Sequence, residues 1–127
     1  MQSPLRVAVV DDEPLAVRRL RGALQRLPAV EVVGTATSAS TAQRLLATET
    51  VDVLLLDIQM PGLSGLDLLR ACPPASAPAV IFVTAYSDFA AEAFELAAVD
   101  YLLKPVQPFR LRVALDRARR AVDRRLA

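Results

Sequence analysis

Three acids, a hydroxyl and an ammonium are the side chains of this sequence whose types and positions could do chemistry. Asp11 and Asp12 directly follow the run from Leu5 to Val10, and Asp57 directly follows the run from Val51 to Leu56, apolar except for Asp52. Thr84 ends Ile81-Phe-Val-Thr, and Lys104 ends Tyr101-Leu-Leu-Lys ahead of Pro105. Carboxylates gathered at one place repel one another, and a hard divalent cation relieves that repulsion. Oxygen ligands without histidine or cysteine favour Mg2+ or Mn2+. A hydroxyl and an ammonium beside such a metal suit a phosphoryl group, whose oxygens take positive charge and donated hydrogen bonds. Lys104 is also the one lysine among 15 basic residues. Lysine is a compact, mobile point charge where arginine is a flat fork. Each residue has a plainer explanation when taken alone. Lys104 could be the remainder of a bias toward arginine, Asp11 a helix cap, Asp57 a turn former and Thr84 an ordinary strand end. Capping, however, needs one acid rather than two and leaves Asp57 unexplained.

These residues must be delivered by regular elements. Valine-rich or wholly apolar runs predict strands over Leu5–Val10, Val30–Ala36, Val51–Leu56, Val80–Val83 and Val99–Leu103. Between them lie helical patterns. Pro14–Leu27 carries Leu20, Leu24 and Leu27 on one face, with proline in its first turn. Ser38–Thr48 has Ser38 as N-cap, and a short helix runs from Leu63 or Ser64 to about Ala71. Ser87 to about Ala97 turns Phe89, Ala93 and Leu96 inward, and Pro108 to about Arg125 presents Leu111, Leu115, Ala118 and Val122. Cys72–Ala79, with three prolines, reads as a loop. Five near-continuous apolar strands alternating with helices predict an α/β fold, a doubly wound parallel sheet in a three-layer αβα sandwich. Asp11, Asp12, Asp57, Thr84 and Lys104 then all meet at the C-terminal edge of the sheet, where such folds bind ligands. Phe89, Phe94 and Phe109 are expected in the core rather than at an interface.

Composition narrows the function. The chain has 127 residues, enough for one domain, and 54% of them are hydrophobic. Its net charge of +1 gives no overall field toward nucleic acid or membrane. The absence of histidine removes imidazole metal sites and histidine acid–base catalysis. One cysteine, Cys72, forms no internal disulfide and suits a reducing compartment, and no role is assigned to it. No apolar run approaches the about 20 residues of a membrane span, and the first residues do not read as a signal peptide. A cytoplasmic protein is expected. Arg117, Arg119, Arg120, Arg124 and Arg125 crowd the end of the last helix. They suit its dipole or begin a linker, and they lack the aromatic interleaving of a nucleic-acid patch.

Five motifs now carry a resemblance: Val9-Val-Asp-Asp-Glu-Pro14, Leu54-Leu-Leu-Asp-Ile-Gln-Met-Pro-Gly62, Gly65-Leu-Asp67, Val83-Thr-Ala85 and Asp100-Tyr-Leu-Leu-Lys-Pro105. In this order they resemble the receiver domain of bacterial two-component response regulators, of flavodoxin-like strand order 2-1-3-4-5. The resemblance implies Asp57 as phosphoacceptor. It implies Mg2+ held by Asp12, Asp57 and the backbone carbonyl of Gln59, with Asp11 helping through water. Thr84 and Lys104 would contact phosphoryl oxygens, Thr84 and Tyr101 would form the switch, and Gln59 and Tyr86 would tune the lifetime of the phosphorylated state. Lys104-Pro105 would be cis, and Gly62 and Gly65 would shape the loop after the acceptor. A sensor histidine kinase is the implied phosphodonor, with dimerisation through the face of the fourth helix, fifth strand and last helix.

Asp11-Asp-Glu-Pro-Leu-Ala16, Thr84–Phe94 and Val99–Val106 are most similar to regulators with a LytTR-type DNA-binding output domain. Residues 1–120 then form the receiver and 121–127 begin a linker to that domain, which alone would contact DNA. A stand-alone receiver in a phosphorelay shares every site residue. A haloacid-dehalogenase-type phosphatase fits poorly, because its Asp-x-Asp follows the first strand and here Gln59 replaces the general acid. No glycine-rich phosphate loop follows the first strand, which disfavours a nucleotide-binding domain.

Overall fold

A computed structural model describes residues 3–72 and 77–126 of the chain. The strands are β1 (Leu5–Val10), β2 (Val30–Ala36), β3 (Val53–Leu56), β4 (Ala79–Thr84) and β5 (Asp100–Leu103). The helices are α1 (Pro14–Gln25), α2 (Ala39–Thr48), α3 (Gly65–Ala71), α4 (Ala90–Glu95) and α5 (Pro108–Leu126). All strand pairs are parallel, in the order β2-β1-β3-β4-β5. Among the described residues no helix is long and apolar enough to cross a membrane.

The central strands are apolar except for Arg6 of β1 and Thr84 of β4 because both sheet faces are covered, so alternate residues feed two separate cores. On one face Val7, Val9, Leu55, Ile81 and Val83 pack against Val17, Leu20 and Leu24 of α1 and Leu111, Ala114, Leu115 and Ala118 of α5. On the other, Ala8, Val10, Leu54, Leu56, Val80 and Phe82 meet Ala42 of α2, Leu66 and Leu68 of α3 and Ala93 of α4. The helical stripes expected from sequence lie in these cores, with Leu27 and Val122 packed at the margin of the first and Phe89 and Leu96 at that of the second. Pro14 opens α1, and the Ser38 and Ser64 hydroxyls accept from the amides of Thr41 and Asp67 as N-caps.

Several expectations are corrected. The strand expected from Val51 begins at Val53; the chain bends at Asp52, whose side chain accepts from the Arg6 amide at 2.9 Å. α4 is shorter than Ser87–Ala97, with Phe89 at its N-cap and Ala97 in a left-handed conformation (φ 65°) that ends the helix. Phe94 and Phe109 are not core residues: they are 50% and 74% exposed. The one face that short α4 can bury is already filled by Ala93, and Phe109 lies in the first turn of α5, beyond the sheet. Half of the loop expected over Cys72–Ala79, residues 73–76, lies outside the described residues, and Ala79 belongs to β4.

β5 is tied to α5 by an ionic cluster at its first residue. Asp100 is buried, and its carboxylate accepts from Arg110 at 2.8 and 2.6 Å, from Arg117 at 3.0 Å and from the Tyr101 amide at 2.8 Å. Arg110 and Arg117 are two helical turns apart and share the face of α5 turned to the strand. Burial pushes the Asp100 carboxyl up, but the Arg110 hydrogen bonds, the Tyr101 amide and both guanidinium charges outweigh it and hold the group below the usual carboxylate range. A depressed acid stabilises the fold above its unfolded-state pKa and loses that contribution as pH falls through the folded value. Asp100→Asn is therefore expected to lower stability by about 2 kcal/mol at neutral pH. Urea denaturation across acid pH will show the two proteins converging below the carboxylate range.

Candidate functional site

The site is built by strand ends whose hydrogen-bond ladder runs one residue further. Asp11 donates its amide to Ala36 O at 3.1 Å, Asp57 to Val10 O at 3.0 Å and Lys104 to Thr84 O at 2.9 Å. The backbones that carry the two buried carboxylates and the ammonium are thus fixed by the sheet. Asp11 and Asp57 are 1% and 5% exposed, and Thr84 is completely buried. Asp12 is half-buried beside them.

One carboxylate oxygen from each of Asp11, Asp12 and Asp57 lies within 4.8 Å of the others. Lys104 Nζ donates to Asp11 Oδ2 at 2.7 Å and to Asp57 Oδ2 at 3.2 Å. Burial opposes the lysine's charge, but the Asp11 hydrogen bond and the charges of Asp57 and Asp11 outweigh it and hold the ammonium above its ordinary pKa. Three carboxylates and one ammonium leave a formal charge of −2 around hard oxygen donors. That donor set fits a divalent cation such as Mg2+.

The other expected residues surround this cluster. The Gln59 amide donates to Asp57 Oδ1 at 3.3 Å, and the Gln59 side chain is exposed. The Tyr86 amide donates to Thr84 Oγ1 at 3.4 Å, and the Tyr86 ring meets Phe89 edge-on. Tyr101 is half-buried against Phe82, and its hydroxyl donates to the Tyr86 backbone carbonyl rather than to water. Lys104-Pro105 is cis. Asp11 Oδ1 accepts from the Glu13 amide at 3.0 Å and Oδ2 takes Lys104, but the N-cap of α1 is Glu13 and no side chain caps it, so the plainer explanation of Asp11 as a helix cap does not hold. The sequence reading missed the Asp100 cluster. Its signal was the seven-residue spacing of Arg110 and Arg117 on a helix packed against β5.

Two glycines after Asp57 are required for different reasons. Gly62 has φ 86°, the left-handed region that side chains disfavour. Gly65 opens α3 so close to the strand end that a Cβ there would lie 2.2 Å from the Asp57 carbonyl oxygen and 3.1 Å from Ile58 Cα. Both neighbours are backbone, so the strand end itself must give way. Gly65→Ala is expected to destabilise the protein by about 1–3 kcal/mol in urea titration. Because the strain falls on Asp57, the variant should also weaken Mg2+ binding at a helix content that circular dichroism shows unchanged.

The comparisons agree with this geometry. A model of the response regulator receiver domain matches residues 7–116. The transcriptional regulatory protein BtsR of Salmonella typhi is 44% identical over 115 residues, covering 91% of this chain and 48% of that protein. BtsR of Escherichia coli K12 is 43% identical over the same 91% and 48%. The chain spans about half the length of the curated relatives it matches. Among solved structures, the response regulatory domain of mrkE from Klebsiella pneumoniae superposes with a TM-score of 0.82 at 32% identity, covering 94% of this chain and 99% of that one. The receiver domain of NarL from Mycobacterium tuberculosis gives 0.83 at 30% identity, covering 93% and 98%. Receiver domains bind Mg2+ at an acidic cluster of this kind and are signalling domains rather than conventional enzymes. Sheet order, acidic edge and family match together set aside the phosphatase and nucleotide-binding alternatives: the chain belongs to the response regulator receiver domain family of two-component systems.

Proposed function

We propose that Asp57 is the phosphoacceptor and that a sensor histidine kinase is the donor. The observation that carries this reading is Lys104 Nζ joined to both Asp11 and Asp57, with the buried Thr84 ending the neighbouring strand. An Asp57 carboxylate oxygen attacks phosphorus in line, forming an O–P bond as the P–N bond to the donor imidazole breaks and its electron pair returns to nitrogen. Lys104 leaves the Asp57 carboxylate for the arriving phosphoryl oxygens, and the Thr84 hydroxyl donates to them. Asp12, Asp57 and the Gln59 carbonyl, with Asp11 in support, would hold Mg2+, which when bound would supply charge neutralisation. Water later hydrolyses the aspartyl phosphate, and the exposed Gln59 and Tyr86 side chains tune its access.

Readout is a shift between two populated conformations. Thr84 moves toward the phosphoryl group, and Tyr101 settles against the loop that follows β4, where its hydroxyl already meets the Tyr86 carbonyl. The affected face is α4-β5-α5. Exposed Phe94 on α4 and Leu103 on β5 supply apolar surface there, which supports its use in a homodimer. The relatives that are transcriptional regulatory proteins, and the share of their length beyond this chain, support a LytTR-type DNA-binding output domain reached through a linker that begins at residues 121–127. Such a regulator works in the cytoplasm.

With acetyl phosphate and Mg2+, intact-mass spectrometry should find one phosphoryl group per chain, and none on Asp57→Asn. Uptake by that variant would overturn the acceptor assignment. Lys104→Arg keeps the charge but replaces a mobile point with a planar fork. Its phosphorylation rate should fall at least about tenfold while its unfolding transition stays put. Beryllofluoride with Mg2+ should shift wild-type gel filtration toward a dimer, and Phe94→Ala should remove that shift.

A further inference from the structure

The shortest helix, α4, has few anchors. Its six residues are fewer than an isolated helix needs to persist in water. Phe89, its N-cap, makes no side-chain capping bond, and Ala93 is its one buried residue. An ion pair ties it to the neighbouring helix: Arg70 of α3 donates to the Glu92 carboxylate. Among the described residues this is the one ion pair that joins two helices. Its α3 end is well fixed. The Arg70 guanidinium also donates to Asp67 Oδ1 at 2.9 Å, Asp67 Oδ2 accepts from the Ser64 hydroxyl at 3.0 Å, and Ser64 caps α3. Next to that cap, the Gly65 amide donates to Ile58 O at 2.8 Å, and Gly65 has no room for a Cβ beside the Asp57 carbonyl. A continuous line of contacts therefore runs from the strand end that carries Asp57 to the first turn of α4. There the Glu92 charge also suits the helix dipole.

We propose that Arg70 and Glu92 are positioning residues: by holding α4, they weight the domain toward the conformation that the phosphoryl group favours. The proposal rests on the phosphoacceptor and switch reading above. The loop before α4 is held from the other side by the Tyr101 hydroxyl, which donates to the Tyr86 carbonyl, and the Tyr86 ring meets Phe89 where α4 begins. The tie from α3 and the tie from β5 are made in one and the same conformation, so each raises its population. They share no residue. One reaches α4 through Tyr101, the other through α3 and the loop after Asp57. Arg70 and Glu92 are both 44% exposed, so theirs is a surface pair, and losing such a pair shifts an equilibrium by roughly two- to fivefold. A ligand that binds the favoured conformation is weakened by the same factor while that conformation is the minor one. Arg70 and Glu92 would thus set how readily the domain responds without touching the acceptor or the acids that suit a metal.

Amide hydrogen exchange and beryllofluoride titration, both followed by NMR on this chain, test the proposal. The Ala93 and Leu96 amides donate within α4, to Phe89 O at 2.9 Å and Glu92 O at 3.1 Å. In Arg70→Gln and in Glu92→Gln they should exchange about two- to fivefold faster with no phosphoryl mimic present. The dissociation constant for beryllofluoride with Mg2+ should rise by about the same factor. The double variant should be no weaker than either single one, because all three lack the same interaction. These differences should close at about 1 M salt, which screens an exposed pair, while the urea midpoint stays near that of the wild type. Exchange equal to the wild type overturns the proposal. So do additive single effects, or faster exchange with unchanged beryllofluoride affinity, which would leave the pair a local staple of α4. The exchange effect should persist in Asp57→Asn. Wild-type protein that shows it yet binds no beryllofluoride would sink the acceptor reading and this proposal with it, whereas binding that ignores the substitutions sinks this proposal alone.

Discussion

Mutual repulsion among Asp11, Asp12 and Asp57 is the constraint around which this domain is arranged. Two like charges about 4 Å apart cost about 4 kcal/mol at the effective dielectric of a protein surface. A fold that holds three of them at one sheet edge must resist their separation. Here the resistance is backbone: Asp11 and Asp57 each continue a parallel ladder by one amide, so neither can retreat without breaking sheet hydrogen bonds. Lys104 supplies the electrostatic half, bonded to the two buried acids from a strand on the far side of β4. The residual charge of −2 suits a divalent cation, and under the proposed phosphotransfer an arriving phosphoryl group would compete with the acids for the lysine.

β5 is placed to transmit such a response. In four residues it carries Asp100 clamped to α5, Tyr101 hydrogen-bonded to the loop before α4, and the strand end that precedes Lys104. The strand therefore touches the charge cluster, the aromatic and the last helix at once. Lys104 is joined to α5 and to the loop before α4 through a short strand rather than a long loop. The exposed Phe94 and Leu103 lie on the face of α4 and this strand, the face proposed for the homodimer.

Charge also organises the molecule at a larger scale. Acidic residues occupy the edge whose oxygen donors fit a divalent cation, and arginines occupy the layer of α1 and α5. The two nearly cancel in the sum and separate in space, so a single figure for net charge hides the field that a partner would meet.

What the sequence determined by itself was whatever depends on local pattern. Apolar runs and helical stripes specified all five strands and helices and their layers, since a residue buried on both faces of a sheet has to be apolar. The order of the acid, hydroxyl and lysine motifs specified which strand ends must meet, because a parallel sheet brings all its C-terminal ends to one side. What only the tertiary structure decided was pairing and exposure. Phe94 and Phe109 look like core residues by type and are exposed, because α4 is too short to bury a second side and Phe109 lies past the sheet. Asp100 looks like any strand-end acid and proves to be the anchor of α5, because its partners lie 10 and 17 residues away on a helix whose rotation only packing fixes. The arginines of the last helix were visible in the sequence but their joining with those of α1 was not, for the same reason: α1 and α5 are distant in sequence and become neighbours when right-handed crossovers return the last helix to the face that the first already covers.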